Sequence, residues 1–239
     1  MRLFIFCLGA IFPALLIAQS LPEPNQMYVV TDCFLNEGYT LNDAVNEGRE
    51  SDFAGPLNIV FRQPIATPNA GEDQFMRIVA WEDLQAWVDA EAARTDINVS
   101  VSYGCKDAQR RFFTSRQLGE NTLELEGDAT LTTITACTLK DGVTYSDAYL
   151  WLEERAAARE ANGDTRAASM VLGVLGRTEN SAGLGRLMGV RTVGSSSSDL
   201  ATALDSIWAV DGSAPDYAMT PAESCQNPVL YKSFFISSN

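Results

Sequence analysis

The chain has 239 residues, 46 % of them hydrophobic and 20 % charged, which is a globular rather than a disordered composition. This length is enough for one large domain or for two domains of ordinary size. The formal net charge of −14 repels both phosphate backbones and anionic lipids, which argues against a nucleic-acid-binding protein.

The first twenty residues, MRLFIFCLGAIFPALLIAQS, have the features of a secretory signal peptide. One arginine precedes an apolar run over residues 3–18, and Ala18-Gln19-Ser20 fits the small-x-small pattern of a signal peptidase site. A membrane anchor is the alternative, but Pro13 interrupts the run, which is shorter than the roughly 20 apolar residues of a bilayer span. The sequence therefore predicts a periplasmic or secreted protein without stable membrane insertion.

Four cysteines remain after the predicted signal peptide, because Cys7 lies within it; they are Cys33, Cys105, Cys137 and Cys225. An even number of cysteines in an exported chain indicates disulfide bonds, and four cysteines allow three pairings. Buried free thiols are the alternative.

One motif occurs twice, as TDCFLNEGYTLNDA at residues 31–44 and as TACTLKDGVTYSDA at residues 135–148. Each copy follows a run rich in β-branched residues, which is typical of a strand, and contains an acid-Gly pair, which is typical of a turn. Each copy then has Thr-x-x-Asp, which is the pattern of a helix start. The motif therefore predicts the same strand-turn-helix junction at two places.

The Thr-x-x-Asp pairs are Thr40 with Asp43 and Thr144 with Asp147. In a capping box the threonine hydroxyl and the aspartate carboxylate each accept a backbone N–H, which gives both residues a structural role. The alternative is that the acids of the motif, which also include Glu37 and Asp141, act as general acids or metal ligands. No second type of ligand lies near them, so helix caps are predicted and a metal site is not.

The remaining elements follow the same order in each half, on hydrophobic periodicity and turn residues. After the strand that ends at Cys33, the first half has a helix over about 41–52, strands over 57–66 and 74–81, a helix over 82–94 and a last strand over 108–118. After the strand that ends at Cys137, the second half has a helix over 146–163, strands over 168–175 and 186–193, a helix that begins at 195–199 and a last strand over 228–237. In the helix over 82–94, one apolar stripe carries Leu84, Trp87, Val88 and Ala92.

The β-α-β-β-α-β order predicts an α+β fold with two ferredoxin-like repeats, at residues 21–118 and 129–239, joined by a polar linker at 119–128. In a ferredoxin-like unit the last strand lies antiparallel beside the first. The end of the first strand therefore lies next to the start of the last. This predicts disulfides between Cys33 and Cys105 and between Cys137 and Cys225.

With its strand ending in cysteine, its Thr-x-x-Asp and its cysteine before an aromatic last strand, the sequence resembles a family of exported proteins from marine bacteria. Each half also resembles the half-barrels of dimeric α/β-barrel proteins, in which two such sheets pack face to face. The resemblance implies a monomeric, pseudo-dimeric α/β barrel and brings no catalytic residues. Two features depart from the pattern: the two cysteine separations differ, and Trp81 has no clear counterpart near residues 191–193.

The chain contains no histidine, which excludes Ser-His-Asp and Cys-His triads, His-ligated haem and most zinc sites. Gly183 and Gly185 open a strand instead of joining a strand to a helix, so they do not form a dinucleotide fingerprint. The serines at 195–198 stand at a helix start, where N-capping explains them. No catalytic residue and no cofactor are predicted.

A cavity between the two sheets is the remaining candidate site. Alternation along residues 74–81 divides that strand into two faces, and we expect Met76, Ile78 and Ala80 to face the helices. The predicted ligand pocket, for a small anionic or aromatic molecule, then comprises Phe75, Arg77 and Trp81 with Arg191 and Tyr231. Barrel packing with the arginines at the rim is the alternative.

The predicted function is a non-catalytic binding or interaction protein of the cell envelope, whose partner is a small molecule or another envelope protein and not a nucleic acid. The alternative is a cofactor-free small-molecule enzyme, of the oxygenase or isomerase kind, that uses the cavity between the sheets.

Overall fold

The computed structural model describes residues 20–51, 55–66, 71, 73–94, 100–123, 127–176, 186–209 and 219–238. Residues 1–19, which carry nearly all of the predicted signal peptide, and residues 124–126 of the predicted linker lie outside the described residues.

Each half of the chain contains the predicted order of strands and helices, with one additional short strand. The elements of the first half are β1 (Gln26–Leu35), α1 (Leu41–Glu50), β2 (Asn58–Ala66), β3 (Gln74–Trp81), α2 (Leu84–Ala93), β4 (Tyr103–Cys105) and β5 (Arg111–Leu118). Those of the second half are β6 (Ala129–Leu139), α3 (Tyr145–Glu160), β7 (Ala167–Leu175), β8 (Leu187–Val193), α4 (Ser197–Ala209), β9 (Ala222–Cys225) and β10 (Val229–Ser238).

Helices α1 and α3 begin at the predicted caps. The Thr40 hydroxyl accepts the backbone N–H of Asp43 at 3.3 Å, and the Asp43 carboxylate accepts the N–H of Thr40 at 2.7 Å. The second copy has the same pair of bonds between Thr144 and Asp147, at 3.1 and 2.9 Å. The cap explains why both aspartates stand where they do.

Eight strands close into an antiparallel barrel in the order β10-β2-β3-β1-β5-β7-β8-β6, and β6 pairs back with β10. The strands of each half are neighbours, and the halves join through the pairs β2–β10 and β5–β7. The two sheets therefore meet edge to edge instead of packing face to face as the resemblance implied. Closure pairs the strand edges of the barrel and encloses an interior.

Two disulfides have the predicted pairing, Cys33–Cys105 and Cys137–Cys225, across 72 and 88 residues. The partner cysteines lie in the additional strands β4 and β9, not at the start of the last strand of each half. Cys105 is directly opposite Cys33 in the β1–β4 ladder, and Cys225 is opposite Cys137 in the β6–β9 ladder. Such disulfides point to a location outside the cytoplasm.

The helices lie outside the barrel, so each strand has one face toward a helix and one toward the barrel interior. Helix α3 buries Ala148, Leu152 and Ala156 in a core that includes Leu118 of the first half, and α1 buries Ala44 and Val45 in a core that includes Ile236 of the second half. Helix α2 contacts the sheet through Ala86, Trp87 and Ala90, and its Leu84 and Val88 are about two-fifths exposed. The stripe predicted for this helix was therefore wrong in all but Trp87.

Within the described residues, no helix combines the length and the apolar character that a membrane crossing requires.

Candidate functional site

The prediction of which face of β3 looks into the barrel was wrong. Met76 and Ile78 line the interior cavity, whereas Phe75 and Trp81 belong to the layers beneath the helices. Phe75 packs in an aromatic cluster with Phe61, at a ring-centre distance of 5.0 Å. These rings fill the layer between the sheet and the helix, on the face of the strand opposite to the cavity.

Arg77 also lies outside the barrel, where its guanidinium pairs with Asp107 at 2.8 Å. Three of the five residues predicted for the pocket, Phe75, Arg77 and Trp81, are therefore absent from it. Arg191 and Tyr231 do line the cavity, and the structure brings them together with two arginines that the sequence analysis missed, Arg62 and Arg111.

The cavity inside the barrel has a volume of about 510 Å³, within the range of small-molecule sites. Its wall is largely apolar and comes from strands of both halves. The lining residues are Tyr28, Val30, Arg62, Met76, Ile78, Arg111, Phe113, Ile134, Ala136, Val171, Gly173, Leu187, Met188, Gly189, Arg191, Gln226 and Tyr231. Three of these are arginines, and none is a carboxylate.

Arg62 is the most deeply buried of the three arginines, with 7 % of its surface exposed. Its Nε donates to the Ser233 hydroxyl at 3.2 Å, and its guanidinium carbon lies 5.7 Å from the centre of the Tyr231 ring. Burial, and then the positive charge of Arg191, lower the pKa of Arg62 from its usual value to about 9. The group remains protonated at neutral pH, so the cavity holds a buried cation.

Arg191 lies against the ring of Tyr28, with its guanidinium carbon 4.8 Å from the ring centre. Its Nε is buried without a hydrogen-bond partner among the described residues. Ser169 is opposite Arg191 in the β7–β8 ladder, and its hydroxyl is also buried without a described partner. Two neighbouring hydrogen-bond donors in the barrel thus lack a partner among the described residues, which is uncommon in a native interior.

The more exposed end of the cavity carries Arg111, which forms an ion pair with Asp32. The side chains of this pair are 33 % and 42 % exposed, so the pair marks the mouth. Burial raises the pKa of Tyr231, although Arg62 and Arg111 act to lower it and Asp32 acts to raise it. Tyr231 therefore interacts electrostatically with Arg62 and with the Arg111–Asp32 pair. Because its pKa is raised, its phenol is protonated at neutral pH.

The charge of the cavity is opposite to that of the whole protein. Arg111 is neutralised by Asp32, but among the described residues neither Arg62 nor Arg191 forms an ion pair. Two cations near each other in a low-dielectric interior repel each other and lose hydration, so an anion between them would remove a free-energy cost. One signal for Arg62 is visible in the sequence: it is a lone charge within the largely apolar run LNIVFRQPIA.

A second, larger depression of about 910 Å³ lies on the surface between the end of α3 and the start of α4. Its acidic groups are already engaged: Asp164 pairs with Arg166 at 2.6 Å and with Arg159 at 3.8 Å, and Asp199 accepts the backbone N–H of Ser195 at 2.9 Å. Of its other arginines, Arg155 lies over the Trp151 ring, and the Arg159 Nε has no hydrogen-bond partner among the described residues. The Ser196 hydroxyl caps α4 by accepting the N–H of Asp199 at 3.2 Å, as predicted for this serine run. We therefore place the candidate site in the barrel.

The fold is similar to that of dimeric α/β-barrel proteins of the chlorite dismutase kind. A variant of the chlorite dismutase from Candidatus Nitrospira defluvii aligns with a TM-score of 0.50 and 8 % identity, over 89 % of this chain and 92 % of that chain.

Two further structures align at slightly lower scores. An anthrone oxidase-like protein aligns with a TM-score of 0.47 and 10 % identity, over 90 % of this chain and 95 % of the other. A proposed monooxygenase from Lactobacillus acidophilus NCFM aligns with a TM-score of 0.49 and 9 % identity, over 89 % and 95 %. No family model matches the sequence, and no protein with a curated description does.

These comparisons correct the leading prediction of function. The structure that aligns at a TM-score of 0.50 is that of an enzyme, a chlorite dismutase, which favours the alternative over a non-catalytic binding protein. The alternative prediction, a small-molecule enzyme that uses the cavity, is therefore the one that we develop from the residues of the site.

Proposed function

We propose that the protein is a cofactor-free small-molecule enzyme, of the oxygenase or isomerase kind, that acts in the barrel cavity on an acidic molecule with an apolar body. The observation that carries this proposal is the pair of guanidinium groups that line the cavity, Arg62 and Arg191, neither with a carboxylate partner in the part of the chain that the structure describes. A preorganised cation in a dry site stabilises negative charge that develops on a substrate oxygen, often the largest single contribution to catalysis.

The proposed chemistry begins with the loss of a proton from a carbon or oxygen atom of the substrate. Asp32, at the mouth, is the carboxylate placed to accept this proton. Arg62 then stabilises the enolate or phenolate that results, and the protonated phenol of Tyr231 donates a hydrogen bond to the same oxygen. In this scheme the base and the anion-stabilising groups are separate side chains.

The two kinds of reaction diverge after this shared step. An isomerase returns the proton to a different atom, so that nothing is consumed. An oxygenase lets the electron-rich anion react with dioxygen, which is then the oxidant. Neither route requires a histidine-ligated group, which this histidine-free chain cannot provide.

The shared step can be tested with phenylpyruvate, which joins an acidic carbon, a carboxylate and an apolar ring. In heavy water, the protein should accelerate deuterium incorporation at the carbon next to the ketone, as followed by NMR. Arg62→Met should slow this exchange by about 10²–10³-fold, the usual loss when one oxyanion donor is removed. Arg77→Met is the matched control, because Arg77 lies outside the barrel on the neighbouring strand.

The proposal fails if phenylpyruvate binds to the protein without any accelerated exchange, or if Arg62→Met exchanges as fast as the wild type. Oxygen uptake with the same substrate then separates the oxygenase route from the isomerase route. Native mass spectrometry of protein purified from its source would show directly whether a natural ligand is retained.

We also propose that the chain is an exported, monomeric member of the marine-bacterial family that it resembles, with residues 1–20 as its signal peptide. Its two ferredoxin-like repeats would be residues 21–118 and 129–239, joined by 119–128. The two disulfides and the shared strand order of the halves support this proposal. Expression with export should give a mature protein that begins at Leu21 by N-terminal sequencing, whereas an intact Met1 would contradict it.

A further inference from the structure

Two donors without a partner among the described residues lie next to each other on one wall of the barrel, whereas a third, the Arg111 Nε, belongs to the ion pair at the mouth. Ser169 and Arg191 are direct cross-strand neighbours on β7 and β8, a relation that places their Cβ atoms about 4.5–5.5 Å apart. Both side chains point into the barrel, because Val171 and Gly189, two residues away on the same strands, line the cavity. The Ser169 hydroxyl and the Arg191 Nε–H are therefore able to bind the same small acceptor.

The other arginines of the cavity are already engaged. Arg62 donates to Ser233, whose hydroxyl in turn lies 2.9 Å from that of Thr132, and Arg111 is paired with Asp32. Among the described residues Arg191 contacts the face of the Tyr28 ring and its Nε has no hydrogen-bond partner, and an aromatic face does not satisfy a guanidinium N–H as an oxyanion does. The strongest unused site for a permanent negative charge is therefore the Ser169–Arg191 pair.

The number of charges also limits the ligand. In the part of the chain that the structure describes, Arg62 and Arg191 of the cavity lack a counter-ion, and in the proposed reaction one negative charge appears only after the substrate loses its proton. A ligand with one permanent charge would balance Arg191 on binding and would leave Arg62 for the charge that develops. A carboxylate has this charge at neutral pH, and its two oxygens suit one guanidinium and one hydroxyl donor.

We propose that the substrate is a monocarboxylic acid with an apolar body, whose carboxylate is held by Arg191 and Ser169. The inference rests on the proposed function for the role of Arg62, but the carboxylate subsite stands on its own contacts. The apolar body then lies among Ile78, Phe113 and Val171, and the reacting atom faces Arg62 and Tyr231. In this arrangement Arg191 and Ser169 set specificity, and they take no part in the proton transfer.

The test compares the binding of phenylpyruvate with that of its methyl ester, which keeps the ring and the acidic carbon but loses the charge. Isothermal titration calorimetry should show that the wild type binds the acid at least about tenfold more tightly than the ester, as expected for one charge-assisted hydrogen-bond pair. Arg191→Met should abolish this preference, and Ser169→Ala should weaken acid binding several-fold with ester binding unchanged. Arg77→Met should keep the full preference.

Three results would overturn the proposal. They are equal affinity of the wild type for acid and ester, no binding of the acid at millimolar concentration, and a preference that survives Arg191→Met but disappears in Arg62→Met. If Arg191→Met does not fold, as judged by circular dichroism, Ser169→Ala decides the question, because it keeps the local charge and removes one donor; unchanged acid binding in this variant would then overturn the proposal. Binding is measured apart from deuterium exchange, so a carboxylate subsite with no exchange would refute the proposed function alone.

Discussion

Replacing Arg62 by methionine should make the protein more stable while it removes the proposed activity. Arg62 is almost fully buried, and the lowering of its pKa to about 9 measures how strongly its surroundings disfavour the charge. Methionine has a similar length and suits an apolar wall, so it removes the buried charge without opening a large cavity. Replacing buried charged groups with apolar ones of similar size is often neutral or stabilising.

The magnitude follows from two opposing contributions. The lowered pKa of Arg62 corresponds to roughly 4–5 kcal/mol of disfavoured charge, at 1.36 kcal/mol per pKa unit. Against this, the substitution loses a charged hydrogen bond to Ser233, worth about 1.5–3 kcal/mol. It also loses the contact with the Tyr231 ring, worth about 0.5–2 kcal/mol. We therefore expect a net gain of about 1 kcal/mol, or a rise of about 2–4 °C in Tm for a chain of this size.

Thermal unfolding of the ligand-free protein, followed by circular dichroism, measures this difference, with Arg77→Met as the control that should not gain stability. The gain should also depend on pH in a defined direction. Above about pH 9 the folded wild type loses the Arg62 proton before the unfolded chain does, so wild-type stability from this group rises with pH and the advantage of methionine shrinks. A variant that melts below the wild type at pH 7 would refute the reasoning.

Three further predictions concern the scaffold. Thr144→Ala should destabilise the protein by about 0.5–2 kcal/mol in urea unfolding. Hydrogen bonds from the Thr144 hydroxyl and backbone N–H hold the pKa of Asp147 below its usual value, so their stabilising effect is present at neutral pH and is lost as the pH falls through the lowered pKa; this loss should be smaller in the variant, which keeps only the backbone bond. Changing Cys137 and Cys225 together to serine should cost roughly 4–5 kcal/mol in the chain-entropy model, and an unchanged midpoint would argue against a structural disulfide. Trp81→Ala should lower the free energy of unfolding by about 3–5 kcal/mol and leave phenylpyruvate binding unchanged. Loss of binding with an unchanged free energy of unfolding would show instead that Trp81 belongs to the ligand site.

The stability gain expected for Arg62→Met also bears on function. An isolated buried cation is unfavourable for folding, and proteins tolerate such groups mainly where function needs them. If the substitution stabilises the fold and stops deuterium exchange, the two results together would identify Arg62 as a residue kept for chemistry.

The sequence by itself determined the features that depend on local geometry and on strand order. A capping box requires only residues three positions apart, so Thr40 with Asp43 and Thr144 with Asp147 could be read directly. The disulfide pairing followed from the order of elements, because that order places the region of Cys105 beside Cys33. Even so, the short strands β4 and β9 that carry the partner cysteines were missed, since three or four residues give too little periodicity to recognise.

Only the tertiary structure decided what lies inside the barrel. Alternation shows which residues of β3 share a face, but both faces of this sheet are buried, one under helices and one within the barrel. The alternating pattern is therefore the same for either orientation of the strand. The prediction placed Arg77 inside the barrel, whereas Met76 and Ile78 lie there. The site depends on the same decision, because Arg62 and Arg191 are far apart in sequence and come together only when β2 and β8 join one closed barrel.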